Sequence, residues 1–129
     1  MSVRVVRLGS PRLPGEGLRI GTVRRPPRGV PRTRYASGDW YDVWYPELAP
    51  SATLLRLARQ AAGEGDWQRF RTRYRAEMNR PAPRRTLTLL AALSHQADFS
   101  VGCYCTDEAR CHRSVLRELL GEAGADVIG

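Results

Sequence analysis

Apolar and polar residues follow two different periods along this chain, and the two periods predict a mixture of strands and helices. Short apolar runs at 3–8, 17–24 and 99–105 are typical of β-strands, in which alternate side chains point to opposite faces. A further short run at 125–129 predicts a last strand.

Four longer segments repeat their apolar residues every three or four positions, which is the spacing of an amphipathic helix. They predict helices over 52–62, 67–79, about 84–97 and about 110–121. Because strands and helices alternate, we expect an α/β fold: a single compact Rossmann-like sandwich over residues 1–129, with a partly parallel sheet flanked by helices.

The second of these helices has two distinct faces. Its large apolar residues recur at helical spacing and predict a buried stripe, formed by Trp67, Phe70, Tyr74 and Met78. Its arginines fall on the opposite side and predict a face in water, formed by Arg69, Arg71, Arg73 and Arg75.

The segment 26–39, PPRGVPRTRYASGD, is too rich in proline and glycine for regular structure, so we predict a loop that carries arginines. Four aromatic residues follow this loop: Trp40, Tyr41, Trp44 and Tyr45. Their pattern is compatible with a place in the core and equally with an exposed patch for a partner.

The charge balance indicates which partners the surface favours. The chain has a formal charge of +8 and a pI of about 10.4, and all 21 residues counted as lysine or arginine are arginine. Guanidinium groups bind phosphate in a bidentate manner and stay charged at every relevant pH. We therefore expect a nucleotide or nucleic acid as the partner.

The hydropathy pattern bears on the location of the protein. No run of about 18 apolar residues is present, so we expect no membrane span and no membrane partner. The first residues, MSVRVVRLGSPRLPG, are rich in arginine and poor in apolar residues, unlike a signal peptide. We predict a cytoplasmic protein, whose cysteines stay reduced.

All three cysteines, Cys103, Cys105 and Cys111, fall within nine positions, and His112 follows the last of them. Cys111 and His112 stand where a helix is predicted to begin, and free N–H groups and the helix dipole favour an anion there. A thiol in that position has a lowered pKa, and a histidine can carry its proton. We predict Cys111 and His112 as catalytic residues that face a ligand.

Other interpretations of the thiols remain open. A structural zinc site has the right residue types in Cys103, Cys105, Cys111 and His112, although adjacent residues at a helix start point in different directions. Cys103 and Cys105 also fit the core as small hydrophobic residues. A Cys105–Cys111 disulfide is not expected to persist in the cytoplasm. The sequence indicates no specific cofactor.

Several segments resemble one family, in the same order along the chain. CHRSVLRELL after a strand resembles the closing motif of the uncharacterised YeaO-like family, the domain of unknown function number 488. WYPELAPSATLLRLA and WQRFRTRYRAEM resemble its central block, and GLRIGTVRRPPRGV resembles its N-terminal segment. The resemblance covers most of the chain. It implies a single α/β domain with Rossmann-like layering and implies little about activity.

The resemblance also marks individual residues. Arg24 and Arg28 match the family's N-terminal arginines, and Cys111, His112 and Arg113 match its C-terminal trio. We expect Arg24, Arg28 and Arg113 to bind phosphate at the carboxyl end of the strand that precedes this trio, because ligands collect there in parallel sheets.

The chain departs from the family at three positions. Val23 stands where relatives carry an aspartate, and Pro26 stands where they carry a tryptophan. Cys105 stands where relatives with the Cys-His-Arg ending often carry a glutamate. The loss of both carboxylates weakens any general-base mechanism taken over from the family.

Overall fold

A strand in which every residue is buried, β4 (Phe99–Cys103), lies at the centre of the sheet. The structure, a computed structural model, describes residues 1–129. Four further strands complete the sheet: β1 (Val3–Arg7), β2 (Leu18–Gly21), β3 (Val43–Trp44) and β5 (Val127–Ile128). The order is β3-β2-β4-β1-β5, and every pair is parallel. The predicted α/β fold is confirmed, with a sheet that is parallel throughout.

All four predicted helices are present, and their bounds are α1 (Ala52–Arg59), α2 (Glu64–Met78), α3 (Pro81–Leu93) and α4 (His112–Glu122). Some ends differ from the predictions. α3 begins at Pro81, because proline fits the first turn of a helix, where its missing N–H is not needed. None of these helices combines the length and the apolar character that crossing a membrane requires.

The central strand is shorter than the predicted run 99–105. It ends at Cys103, whose carbonyl still accepts a hydrogen bond from the Leu8 amide at 2.8 Å. Because β1 already ends at Arg7, no neighbouring strand continues the pairing. Cys105 therefore lies in the loop after β4 and not in the strand.

The helices cover one face of the sheet. Residues from all four helices share the main core cluster with alternate strand residues such as Phe99 and Val101. The predicted stripe of α2 is confirmed in Phe70, Tyr74 and Met78, which are buried, while Trp67 packs at the edge of the cluster.

The arginine face of α2 is only partly in water. Arg71 forms an ion pair with Glu118 of α4 at 2.8 Å. Arg75 contacts both Glu118 and Glu122, with its shortest distance, 2.6 Å, to Glu122. These two arginines are therefore partly exposed and paired at the surface, because α4 packs beside α2 and presents carboxylates to them.

Loops, rather than helices, cover the other face of β2 and β4. Arg19 and Ser100 are in register on these strands, alternate with core residues, and are fully buried. Arg19 donates hydrogen bonds to the Glu16 carboxylate at 2.7 and 2.9 Å and to the carbonyls of Ser10 and Asp39 at 2.8 and 2.7 Å. This network fastens the loop after β1 and the loop after β2 to the sheet.

The aromatic stretch divides between core and surface. The predicted loop 26–39 contains no strand and no α-helix, only a 3-10 turn at Arg32–Arg34. Tyr41, shortly after it, is buried, whereas Trp44 on β3 is 43% exposed. The aromatic stretch thus contributes Tyr41 to the core and Trp44 to the surface, and a partner for this surface stays a prediction.

We expect Gly102→Ala to destabilise the fold by about 1–3 kcal/mol, because overpacking a dense core has a cost of that size. A Cβ atom at this position would lie 2.6 Å from the Val6 carbonyl oxygen, between β4 and β1. Urea unfolding measures the loss. The matched control is Gly121→Ala on α4, where nothing lies within 4 Å of the new Cβ. That change should stabilise the protein by about 0.5–1 kcal/mol. Two losses of equal size would contradict the packing argument.

Candidate functional site

Two cysteine sulfurs meet at the carboxyl edge of the sheet. Cys103 ends β4, and Cys111 is the residue that caps α4. Their Sγ atoms are 2.7 Å apart, closer than two sulfurs in ordinary packing contact. Both thiols are buried in a small cluster with Leu8, Val23 and Tyr41.

The loop between the two cysteines is held in one conformation. A 3-10 turn at Glu108–Arg110 brings the chain back to α4, and Asp107 caps it by accepting from the Ala109 amide at 3.0 Å. The Arg117 guanidinium of α4 binds both oxygens of Glu108 at 2.8 and 3.0 Å. The return of Cys111 to Cys103 is therefore fixed by side-chain contacts within the loop and α4.

His112 is buried and neutral at pH 7. Its Nε2–H donates to the Thr22 carbonyl at 2.9 Å, at the point where the chain leaves β2. The other ring nitrogen, Nδ1, is therefore unprotonated and lies 3.8 Å from the Cys111 sulfur. Burial lowers the pKa of His112 to about 4, although the bond to Thr22 opposes this.

Cys105 is the exposed thiol of the three. Hydrogen bonds from the Cys103 and Cys111 thiols lower its pKa well below the usual range, against the effect of partial burial, and the charge of Arg113 contributes. The neighbouring Cys105 and Cys111 thiols and burial raise the pKa of Cys103. Of these two thiols, Cys105 is therefore the one whose pKa is lowered.

Cys111 itself is a poor thiolate in this arrangement. A hydrogen bond from Cys103 lowers its pKa, but donation to Cys105 and burial outweigh that bond and raise the pKa to about 11. Its side chain is 3% exposed, so the sulfur lies in the interior and does not face a ligand directly.

Arg113 carries an unused hydrogen-bond donor. Its Nη2 donates to the Cys105 carbonyl at 2.6 Å, which fixes the backbone of the exposed cysteine. Its Nε atom is buried and has no hydrogen-bond partner, and the residue as a whole is only 4% exposed. A buried donor without a partner is costly, so an acceptor from a ligand would be favourable there.

Arg24 and Arg28, the other two arginines predicted to bind phosphate, form no hydrogen bond with the cysteines or His112. Arg24 donates to the carbonyls of Pro50 and Ala49, both at 3.1 Å, and so supports the segment before α1. Arg28 is exposed in the loop after β2, and its side chain forms no hydrogen bond.

The buried thiols and the histidine form a set with metal-binding chemistry. The ligand atoms of Cys103, Cys111 and His112 lie within 4.8 Å of one another. Two thiolates on one tetrahedral zinc ion are about 3.8 Å apart, because each Zn–S bond is about 2.3 Å long. The observed separation of 2.7 Å is shorter, so a zinc ion would require the two sulfurs to move apart. Metal analysis of the purified protein separates a zinc module from a metal-free thiol group.

A pocket of about 550 Å³ shares one lining residue, Tyr41, with the cluster that buries Cys103 and Cys111. Its lining includes Arg32, Tyr35, Tyr41 and Trp44. Tyr41 belongs both to this lining and to the cluster around Cys103 and Cys111, and its hydroxyl is buried without a hydrogen-bond partner. Burial and the neighbouring Tyr35 raise the pKa of Tyr41 to about 12.

The sequence indicated the cysteines and His112 but not Thr22 or Tyr41, which contact them. The ligand atoms of Cys103, Cys111 and His112 lie within 4.8 Å of one another, and Arg113 binds the Cys105 carbonyl beside them. No sequence pattern marks Thr22, because it binds His112 through its backbone carbonyl. Tyr41 had only the signal of an aromatic stretch.

The low pKa of His112 predicts a pH dependence of stability. The folded protein takes up this proton near pH 4, whereas an unfolded chain takes it up near about pH 6.5. The free energy of unfolding should have its full value above about pH 6.5. It should fall by about 1.5 kcal/mol between about pH 6.5 and 5. Urea unfolding at each pH measures the loss.

Two variants test the assignment of this pH dependence. His112→Gln, whose amide can still donate to Thr22, should flatten the profile. His95→Gln, at an exposed histidine, should leave it unchanged. A profile that follows His95 instead would overturn the assignment.

Comparisons with known proteins identify the family without adding a function. No curated protein and no solved structure matches the chain. A family model, DUF488-N3a, described as the active DUF488-N3 subclade, matches residues 3–124. This match covers nearly the whole chain and confirms the resemblance seen in the sequence motifs. The protein belongs to the DUF488 family.

Proposed function

We propose that the protein is a thiol-dependent enzyme that acts on an anionic substrate of the nucleotide or nucleic-acid class, with Cys105 as its nucleophile. The observation that carries the proposal is an exposed thiol, Cys105, in the loop that joins the buried thiols Cys103 and Cys111 at the carboxyl edge of a parallel sheet. Its neighbours lower its pKa. A thiolate, rather than a thiol, is the reactive form of cysteine.

The proposal takes Cys105 as the nucleophile in place of Cys111, which we predicted from the sequence. Cys111 is buried and has a raised pKa, whereas Cys105 is accessible. In this proposal Cys111 assists the reaction without touching the substrate. It lies next to the unprotonated Nδ1 of His112, which can accept a proton from it.

An anionic substrate is supported by the surroundings of Cys105. The charge of Arg113, whose Nη2 holds the Cys105 carbonyl, and the start of α4 both favour a bound anion beside it. The pocket that Tyr41 lines combines aromatic side chains with Arg32 and Asp42, and its aromatic rings suit the base of a nucleotide. The net charge of +8 favours the approach of a polyanion.

Two further points are compatible with this proposal. The subclade that the chain matches carries the word "active" in its description. The cytoplasm stays the predicted location, because three unpaired cysteines persist in a reducing compartment.

Iodoacetamide labelling near pH 6 tests the nucleophile. An ordinary thiol is almost entirely protonated there, so we expect Cys105 to react about tenfold or more faster than free cysteine. Its rate should change little between about pH 5 and 7, because the thiolate is already formed. Mass spectrometry of the labelled peptides gives the rate at each cysteine.

Two serine variants decide which cysteine reacts. Cys105→Ser should abolish the fast labelling. Cys111→Ser should retain it, because the exposed thiol itself is unchanged. Fast labelling that persists in Cys105→Ser and disappears in Cys111→Ser would return the nucleophile to Cys111.

A second function, binding of nucleic acid without chemistry, is favoured by the excess of arginine over acidic residues. Affinity for a fluorescent single-stranded oligonucleotide should fall steeply with salt. Arg113→Lys keeps the charge and removes the planar fork, so we expect about tenfold weaker binding at constant salt dependence. The control is Arg59→Lys, at an exposed arginine of α1 without side-chain hydrogen bonds. Equal losses from both changes would show that only general charge matters.

A further inference from the structure

The positions of the three thiols allow oxidation to begin at an exposed cysteine and to end at a buried pair. Cys105 is accessible to solvent, whereas Cys103 and Cys111 are buried. The sulfurs of the buried pair are 2.7 Å apart, and a disulfide bond is about 2.05 Å long. A small movement of the two side chains is therefore sufficient to join them.

We infer that the three thiols form a relay that reduces a hydroperoxide: Cys105 reacts with the peroxide, and a Cys103–Cys111 disulfide holds the oxidised state. The inference rests on the proposed reactivity of Cys105 and adds a substrate class to it. Accessible cysteines with low pKa values next to a second cysteine are the typical sites of such oxidation.

The first step consumes the peroxide. The Cys105 thiolate attacks the terminal oxygen of ROOH, so that an S–O bond forms and the O–O bond breaks. The leaving alkoxide takes a proton from solvent and departs as ROH, which leaves a sulfenic acid on Cys105.

The next two steps move the oxidation inward. The Cys111 thiol attacks the Cys105 sulfur, its proton leaves with the hydroxyl group as water, and a Cys105–Cys111 disulfide forms. Cys103 then attacks the Cys111 sulfur, and Cys105 is released as a thiol. In sum, ROOH and two protein thiols give ROH, water and one disulfide.

Two contacts favour this direction of transfer. The unprotonated Nδ1 of His112, 3.8 Å from the Cys111 sulfur, can take the Cys111 proton as that thiol attacks and pass it to the leaving hydroxide, which departs as water. The final disulfide lies in the packed cluster with Leu8, Val23 and Tyr41, where small thiols cannot reach it. Two molecules of a low-molecular-weight thiol regenerate the dithiol by the reverse exchange through Cys105.

The relay also predicts that oxidation lowers the reactivity of Cys105. Once Cys103 and Cys111 are joined, neither retains an S–H group to donate to Cys105. Without these donors the thiolate is less favoured, so iodoacetamide labelling of Cys105 near pH 6 should slow by about tenfold in the oxidised protein.

Mapping of the cysteines after treatment with hydrogen peroxide tests the relay on the full chain. The reduced protein receives one equivalent of peroxide, free thiols are blocked with N-ethylmaleimide, and trypsin is added. Because Arg110 separates the cysteines, Cys103 and Cys105 fall in the peptide 86–110 and Cys111 falls in the peptide 111–113. We expect the two peptides to be linked through Cys103 and Cys111, with maleimide on Cys105 alone.

Variants distinguish a relay from direct oxidation of the buried pair. In Cys105→Ser, an exposed substitution, linking by peroxide should slow by about tenfold or more, while diamide still links Cys103 to Cys111. Cys103→Ser should stop at the Cys105–Cys111 disulfide. Linking by peroxide in Cys105→Ser at the rate of the unchanged protein would overturn the relay. Conversion of Cys105 to a sulfinic acid, with both buried thiols blocked by maleimide, would overturn it as well.

The outcomes separate this inference from the proposed function. Fast iodoacetamide labelling of Cys105 without linking by peroxide rejects the relay and leaves the nucleophile in place. Slow labelling of Cys105 together with linking by diamide rejects the nucleophile, although the buried pair is correctly placed. Failure of diamide to link the buried pair rejects the geometry from which the relay is inferred.

Discussion

The fully buried guanidinium of Arg19 is the interaction on which the loop-covered half of the protein depends. Helices close one face of the sheet by burying apolar side chains, but the other face of β2 and β4 presents polar or small residues to loops. Arg19 supplies donors to the Ser10 and Asp39 carbonyls and to Glu16. Burial alone would raise the pKa of Glu16, but hydrogen bonds from Arg19, Ser100 and the Leu13 amide lower it to about 2. The pair therefore stays charged and fully bonded, the condition under which buried charges are tolerated.

This network also positions the candidate site. The loop that Arg19 holds through Asp39 continues into Tyr41, whose ring packs on the buried cysteines and lines the neighbouring pocket. Gly21 on β2 has no side chain, and a Cβ atom there would collide with the Tyr41 ring. One wall of the thiol group is thus set by a salt bridge and a glycine that lie outside the group itself.

Periodicity predicted the elements of the fold well, because each helix buries one stripe and β4 buries both faces. It could not predict the role of Arg19. An arginine that alternates with Ile20 on a strand is typical of a residue facing water, and only the folded loops show that this side is closed. The same limit applies to Arg24, which the resemblance assigned to phosphate and which binds two backbone carbonyls. Hydrogen bonds to distant carbonyls leave no pattern in a sequence.

The three thiols differ in exposure because β4 ends at Cys103. Had β4 continued to Cys105, as the apolar run predicted, all three sulfurs would be subject to the same burial. Because β1 ends at Arg7, the chain leaves the sheet after Cys103 and Cys105 becomes accessible. The family resemblance places a glutamate where Cys105 stands. The proposed Cys105 thiolate keeps a negative charge at that position and supplies a sulfur nucleophile in place of a carboxylate.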